Sequence, residues 1–403
     1  MKKNISLLTR DNLFFVILLI WYIFKIGCYG YVGFSHVAIL SHLAQYFTFG
    51  ILLYCCRETF NVRKNGIISL ITIDVVVSLV ISIVYWNASP YYAIQSQCSP
   101  VGLLYMVVYF ALQKWNVSSK TVQRVLIALS VIYLLCWGYS LYKMPEMVFG
   151  VDRDDNYGEI TERGFYRLFI PGNVSAVLSF YFLGIFLYQK KKWGLYAAFG
   201  MLIIVILHVG RQMIAWTIVI SAIMAFMHYK KKMWHLIVAC AFGYIGLMFI
   251  AEKIPAVSAM MEMSKEQGEN MDDDIRTEAS LYFLFDYPHN IVTSLFGNGT
   301  PVHNSELSHK DDVAKSKGYY QTDVGFFAMF CNYGIIAVVL FGLLLVRVAK
   351  MRVEPEYNYL KYYFFYAYGT YLMSQSLTSS IFTVMMAYYV VEKSANNIKR
   401  NQS

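Results

Sequence analysis

Charge is scarce in this sequence. Only 15% of its 403 residues are Asp, Glu, Lys or Arg, against about 25% in an ordinary soluble domain, which excludes that class. Polar interruptions are scarce as well: hydrophobic residues make up 58% and mean hydropathy is +0.46. Apolar stretches of about 20 residues recur along the whole length and read as repeated membrane spans. They run continuously apolar and do not alternate, which excludes an outer-membrane type of barrel. Metal-type cysteine spacing is missing too. The seven cysteines, Cys28, Cys55, Cys56, Cys98, Cys136, Cys240 and Cys331, lie in or beside apolar stretches and read as buried apolar residues, not as a disulfide framework or a zinc site. No small-residue cleavage site follows the basic start of Lys2, Lys3 and Arg10, so the first apolar stretch reads as a span. There is no internal repeat and no low-complexity tract.

What is present is an excess of positive charge, +9 overall. Its distribution excludes a nucleic-acid partner, because the basic residues fall in short clusters at one set of predicted helix ends, as positive-inside topology requires. Spans are predicted at 12–29, 36–55, 66–86, 98–113, 122–142, 170–189, 193–209, 212–228, 233–252, 322–346, 357–376 and 379–392. Clusters such as Arg57/Arg63/Lys64, Lys114/Lys120/Arg124, Lys190–Lys192, Lys230–Lys232 and Arg347/Lys350/Arg352 then share one side, with both termini cytoplasmic. The reading is an all-α integral membrane protein of about twelve transmembrane helices, one polytopic domain over 1–403. Two large loops fall on the outer side, 143–169 and 253–321. The second contains "SLYFLFDYPHNIVTSLFG" (280–297), amphipathic enough to lie on the membrane surface. Both loops are rich in Tyr and Phe, which suits either interfacial anchoring or packing against sugar rings.

Arg211 stands in "VILHVGRQMIAWTIVI", inside an apolar run bounded by two lysine clusters. The run must therefore turn near Gly210, which puts Arg211 at the outer interface. Arginine stays protonated and binds carboxylate or phosphate through a planar fork. Its competing role is to meet lipid headgroups or a loop acid. Arg163 and Arg167, in "ERGFYRLFIPGN", and Arg276, in "DDDIRTEAS", lie on the same predicted side. Separated arginines of this kind can converge on a pyrophosphate. Asp323, His303 and Glu162 are outer-side candidates for a general base. For Asp323 the competing role is capping the following helix. The acidic strings at 152–155 and 272–274 read as solvated stretches. Lys25 and Asp74 are intramembrane charges at depths differing by roughly 8 Å. Lys25 can snorkel outward, whereas Asp74 has no evident partner.

Four segments occur in a familiar order: "FYRLFIPGNVSAVLSFYFLGIF", "ILHVGRQMIAWTIVI", "DIRTEASLYFLF...SLFGNGTP" and "TDVGFFAMFCNYGIIAVVLFGLLL". Over about 165–346 the chain resembles the O-antigen polymerase and O-antigen ligase superfamily. The resemblance implies a GT-C-like polytopic glycosyltransferase architecture with a large extracytoplasmic loop late in the chain. It implies action on the outer face of a bacterial inner membrane, on glycans carried by undecaprenyl pyrophosphate. The family's arginine before the small-residue span falls on Arg167. That of its Ser-Arg turn falls on Arg211, where Val-Gly replaces the usual Ser, and the one opening the late loop falls on Arg276. Together with Arg163 these would bind pyrophosphate, and Asp323 or His303 would serve the acceptor hydroxyl. Ligases carry a His-Asn pair just before the late span; here His303-Asn304 lies about twenty residues upstream, which favours a polymerase. Ligase and flippase remain the alternatives. No metal, cofactor or nucleotide sugar is expected; a chain-length regulator and a flippase are the implied partners, beside membrane lipid.

Overall fold

A computed structural model of the chain describes residues 10–33, 36–99, 101–150, 168–208, 210–229, 275–287, 290–372 and 376–402, with backbone alone for Arg211 and Ser376. The span predicted at 233–252, most of the loop from 143, and the start of the loop from 253 lie outside these residues. Among the described residues the protein is helical throughout, with one isolated bridge between Tyr31 and Phe149.

Fourteen helices frame the argument: α1 (Arg10–Lys25), α2 (Val37–Tyr54), α3 (Ile67–Tyr85), α4 (Val107–Trp115), α5 (Ser119–Lys143), α6 (Ser175–Gln189), α7 (Lys192–Leu207), α8 (Arg211–His228), α9 (Ile275–Leu281), α10 (Ile291–Phe296), α11 (Glu306–Ser316), α12 (Gly325–Lys350), α13 (Asn358–Tyr371) and α14 (Ser376–Gln402). Among the described residues four are long and apolar enough to cross a membrane: α2, α3, α5 and α12. In α3 the β-branched run "ITIDVVVSLVISIV" would suit a strand in water. In a hydrocarbon environment an isolated segment can pair its backbone groups only as a helix, which overrides that propensity.

The helices run between two ends. At one, the basic clusters meet. Lys114 donates to the Tyr54 carbonyl at 2.6 Å and pairs with Glu58 at 3.3 Å. Lys393 reaches the Asn116 side chain and the Val117 carbonyl at 3.0 and 2.8 Å, and Arg347 pairs with Glu392 at 2.7 Å. This basic end gathers residues that the charge pattern assigned to one side. The other end carries α9, α10 and α11 and is called here the cap end.

Three departures from the sequence reading matter. The stretch 98–113 is not one continuous span: a turn and a 3-10 segment, Leu103–Met106, precede the nine-residue α4. Every residue from Leu103 to Leu112 is buried, so this piece is enclosed by protein. The short apolar run 379–392 lies within a 27-residue helix, α14. Its residues Val384–Val391 are buried on all sides, against α4, α5 and α13. An apolar run surrounded by other helices needs no bilayer-matching length, and its polar tail continues helical beyond it. Lys25 does not snorkel. It is 0% exposed, donates to the Ser379 carbonyl at 2.8 Å and lies 4.9 Å from the Tyr105 ring centre. Asp74 is 3% exposed, and neither carboxylate oxygen has a hydrogen-bond partner.

Candidate functional site

Two constructions occupy the cap end. The first surrounds the start of α8. Residues 168–174 form a connector into α6 in which Leu168, Ile170 and Val174 are buried, pinned from three directions. Tyr22 donates to the Gly172 carbonyl at 3.2 Å and Ser130 to the Val174 carbonyl at 2.9 Å. Asn173 faces Met213 of α8, its amide nitrogen 3.7 Å from the sulfur. The Asn173 side-chain oxygen accepts from the Ser175 backbone at 3.0 Å and from its hydroxyl at 2.7 Å, which starts α6 as an Asx turn. The segment that follows Arg167 is thus held against the helix that Arg211 opens.

Helix α8 begins at Arg211 with Gly210 at its N-cap. A helix start presents unpaired N–H groups and the positive pole of the dipole, both suited to an anion. Three residues earlier stands His208, 9% exposed. Its ring stacks on Trp137, with centres 4.4 Å apart and planes 12° apart, and on Tyr133 at 5.6 Å and 19°. Its Nδ1 lies 2.7 Å from the Ile204 carbonyl. A carbonyl only accepts, so Nδ1 carries the proton, and in the neutral ring Nε2 is a lone-pair acceptor. Nε2 is buried and has no hydrogen-bond partner.

The second construction is an arm and cap. Asn290 and Thr293 form a reciprocal capping box, each side chain bonded to the other's backbone N–H at 3.0 Å, which starts the short α10. The chain then runs into a break in α12 at Gly334 (φ 74°, ψ −179°). Gly297 (φ 80°) lies directly against the Asn332 and Tyr333 backbone, and Gly334 against that of Leu295 and Phe296. No side chain fits at either crossing point. The break frees carbonyls that an apolar environment leaves unpaired at a cost of several kcal/mol. The arm satisfies them: Asn298 N–H reaches the Cys331 carbonyl at 2.8 Å and Gly299 N–H the Asn332 carbonyl at 2.9 Å. A polar chain continues from there. Thr300 shares a hydrogen bond with Ser96 at 2.6 Å, and Tyr333 donates to Gln97 at 3.0 Å.

The 280–297 segment therefore has two faces. Leu281, Phe285, Ile291 and Leu295 are exposed, as an amphipathic surface segment requires. Its other face, with Phe283, Tyr287 and Thr293, is buried in protein, and the sequence reading did not anticipate this. Helices α9 and α11 complete the cap around Phe283, Tyr287, Leu307 and Ala314. Tyr319 donates to Glu278 at 3.0 Å, while Lys310 donates to the Tyr287 carbonyl over the Trp86 and Tyr287 rings. Burial lowers the Lys310 ammonium from its ordinary value.

The candidates from the sequence divide accordingly. Arg276 is exposed on α9, where Ile275 abuts Gly318. Asp323 is exposed in the 3-10 turn Gln321–Asp323 and accepts from Thr322 at 3.2 Å. It does not cap α12, whose N-cap is Val324. Arg276 and Asp323 thus belong to one cap, in which α9 touches Gly318 and Tyr319, just before the turn that carries Asp323. His303 is exposed before the N-terminus of α11, whereas Gly318 and Tyr319, at its C-terminal end, contact α9. The backbone at Arg211 belongs to the α8 start, which packs with α6, α7 and α13. Arg163, Arg167 and Glu162 lie outside the described residues. Sequence reasoning missed His208, although it sits in the same apolar run as Arg211. It also missed the crossing of the arm with α12, signalled by the glycines of "FGNGT" and "CNYG". Compared with protein-family models, curated proteins and solved structures, the chain has no match.

Proposed function

We propose that this chain is a membrane glycosyltransferase that polymerises lipid-linked repeat units on the outer face of a bacterial inner membrane. A glycan on undecaprenyl pyrophosphate is the donor, and a hydroxyl of the next lipid-linked unit is the acceptor. In this reading the chain has about twelve spans, both termini are cytoplasmic and the cap end faces outward. The hydroxyl oxygen attacks the anomeric carbon, the bond from that carbon to the pyrophosphate oxygen breaks, and lipid pyrophosphate leaves. Arg211 and the N-terminal turn of α8 hold the leaving group, with Arg167 beside them; Arg276 on the cap and Arg163 add cationic charge. Stabilising developing negative charge in a site shielded from water is commonly a large part of a rate enhancement. Asp323 takes the hydroxyl proton, and His303 is the lesser candidate. His208, with a lone pair free at Nε2, is the alternative acceptor on the α8 side.

The observation that carries this reading is the docking of residues 168–174, which follow Arg167, onto the first turn of α8 through Asn173 and Met213. The motif order resembling O-antigen polymerases supplies the substrate. Purified protein in liposomes with synthetic undecaprenyl-pyrophosphate repeat units tests it. Wild type should lengthen them and Arg211→Ala should not; equal growth by both discards the arginine model. Growth onto a lipid A core or a protein acceptor alone would indicate a ligase. A flippase reading is favoured by the buried intramembrane charges Lys25 and Asp74; it requires movement of the repeat unit with no chain growth.

A further inference from the structure

We propose that the basic end holds the head group of a zwitterionic aminophospholipid, of phosphatidylethanolamine chemistry. A cavity of about 300 Å³ opens between the end of α6 and the start of α13. Tyr181, Tyr188 and Tyr359 form aromatic walls, and Gly184 leaves the floor without a side chain. Gln189 and Glu356 line it from exposed positions. The walls are held in place: Tyr181 meets Tyr359 edge to face at 5.2 Å, and the Tyr188 hydroxyl accepts from the Asn358 amide.

The lining selects the charge of the ligand. Among the described residues no lysine or arginine lines the cavity, so its walls carry no positive charge for a bare anion. Three tyrosine faces with one carboxylate suit an ammonium group. The anionic half of the head group has its own partner close by. Lys190, Lys191 and Lys192 follow Gln189 directly and are exposed. An ethanolamine phosphodiester carries its two charges a short link apart, ammonium for the cavity and phosphate for the lysines.

Between α6, α7 and α8 lies an apolar groove of about 170 Å³, lined by Leu183, Phe199 and Leu202 among others. Leu183 is about 9 Å along the helix axis from Gln189, toward the middle of the bundle. Ser179 and Leu183 lie on the opposite face of α6 from Tyr181, Gly184 and Tyr188, so the groove stands apart from the cavity, and the head-group reading rests on the cavity lining and the adjacent lysines. The site lies at the opposite end from the proposed transfer site and does not rest on that reading.

The test is native mass spectrometry of the full chain titrated with dioleoyl lipids differing only in head group. Phosphatidylethanolamine should bind about fivefold more tightly than phosphatidylglycerol, the scale of one cation–π and carboxylate contact. Glu356→Gln should bring the two to near parity, with phosphatidylglycerol binding unchanged. The double change Lys190→Gln and Lys191→Gln should weaken both lipids. All these positions are exposed, and an unchanged melting temperature confirms folding. Equal binding of the two lipids by wild type overturns the proposal, as does a preference that survives Glu356→Gln.

Discussion

Two buried carboxylates, Glu392 and Asp74, received opposite treatment from this fold. Glu392 in α14 is 9% exposed and its oxygens accept from Arg347 at 2.7 Å, from Tyr388 at 3.0 Å and from the Tyr109 hydroxyl. Asp74 in α3 is 3% exposed and has no hydrogen-bond partner for either oxygen. The first joins three helices at the basic end and is fully explained by its partners. The second lowers stability and calls for another reason. At the basic end Arg347 and Lys114 each have an acidic partner. At the cap end the Nε2 of His208 and the side-chain oxygens of Asn298 and Asn332 are buried without partners. Hydrogen bonding fixes the orientation of both amides: Asn298 must point its nitrogen at the Cys331 carbonyl, and Asp311 turns Gln321 so that its oxygen accepts from Asn332.

The contrast breaks most visibly in activity. Arg211→Ala should lower chain growth about 100-fold or more, the scale of losing one transition-state donor, with an unchanged melting temperature in detergent. His208→Gln should depend on pH differently from wild type if Nε2 handles a proton; a parallel pH profile would assign the ring to packing alone. Next in size is the arm. Gly334→Val sets a β-branched side chain at positive φ against the Leu295 backbone and should cost about 3 kcal/mol or more. Protease sensitivity of 290–302 should then rise well before global unfolding.

The carboxylates themselves come third. Arg347→Ala leaves Glu392 with tyrosine donors only and should cost about 2 kcal/mol, below the figure for fully buried pairs because Arg347 is half-exposed. Asp74→Leu should raise stability by about 1 kcal/mol if the carboxylate is merely unsatisfied. If the same change abolishes flipping or chain growth, Asp74 is functional. The smallest effect concerns Lys310. Its folded-state value is lowered, so between that value and the ordinary lysine value of about 10.5 the unfolded cap binds more protons. Stability should therefore rise with pH across that window, and the burial penalty is fully present below it. Hydrogen exchange of 306–316 at pH 8 and pH 10.5 reads the rise, which should vanish in Lys310→Met.

Most helix boundaries were legible because apolar runs and lysine clusters report directly on burial and on which end a helix finishes. The run 193–228 is an instance: its hairpin turns at Gly210 as the charges required, with α7 ending at Leu207 and α8 starting at Arg211. What the sequence concealed depended on contacts between distant segments. Nothing local marks 379–392 as enclosed, since a short apolar run looks alike whether lipid or protein surrounds it. Nothing local shows that the "FGNGT" carbonyl partners lie in "CNYG". Of the candidate site, Arg276 and Asp323 emerged on one cap. The importance of His208 was hidden because its stacking partners, Tyr133 and Trp137, come from another helix.

The crossing of the arm with α12 also sets an order of events during synthesis. The Asn298 amide pairs with a carbonyl 33 residues later in the chain. At typical translation speeds the arm emerges about 2–7 s before its partner exists. In that interval the Asn298 and Gly299 N–H groups lack the carbonyls they bond in the folded chain, which disfavours burying them in hydrocarbon. The arm's asparagines, threonines and glycines suit that interval. The arm is a bolt that slides home only after α12 has arrived, so cap assembly is a late step of biogenesis.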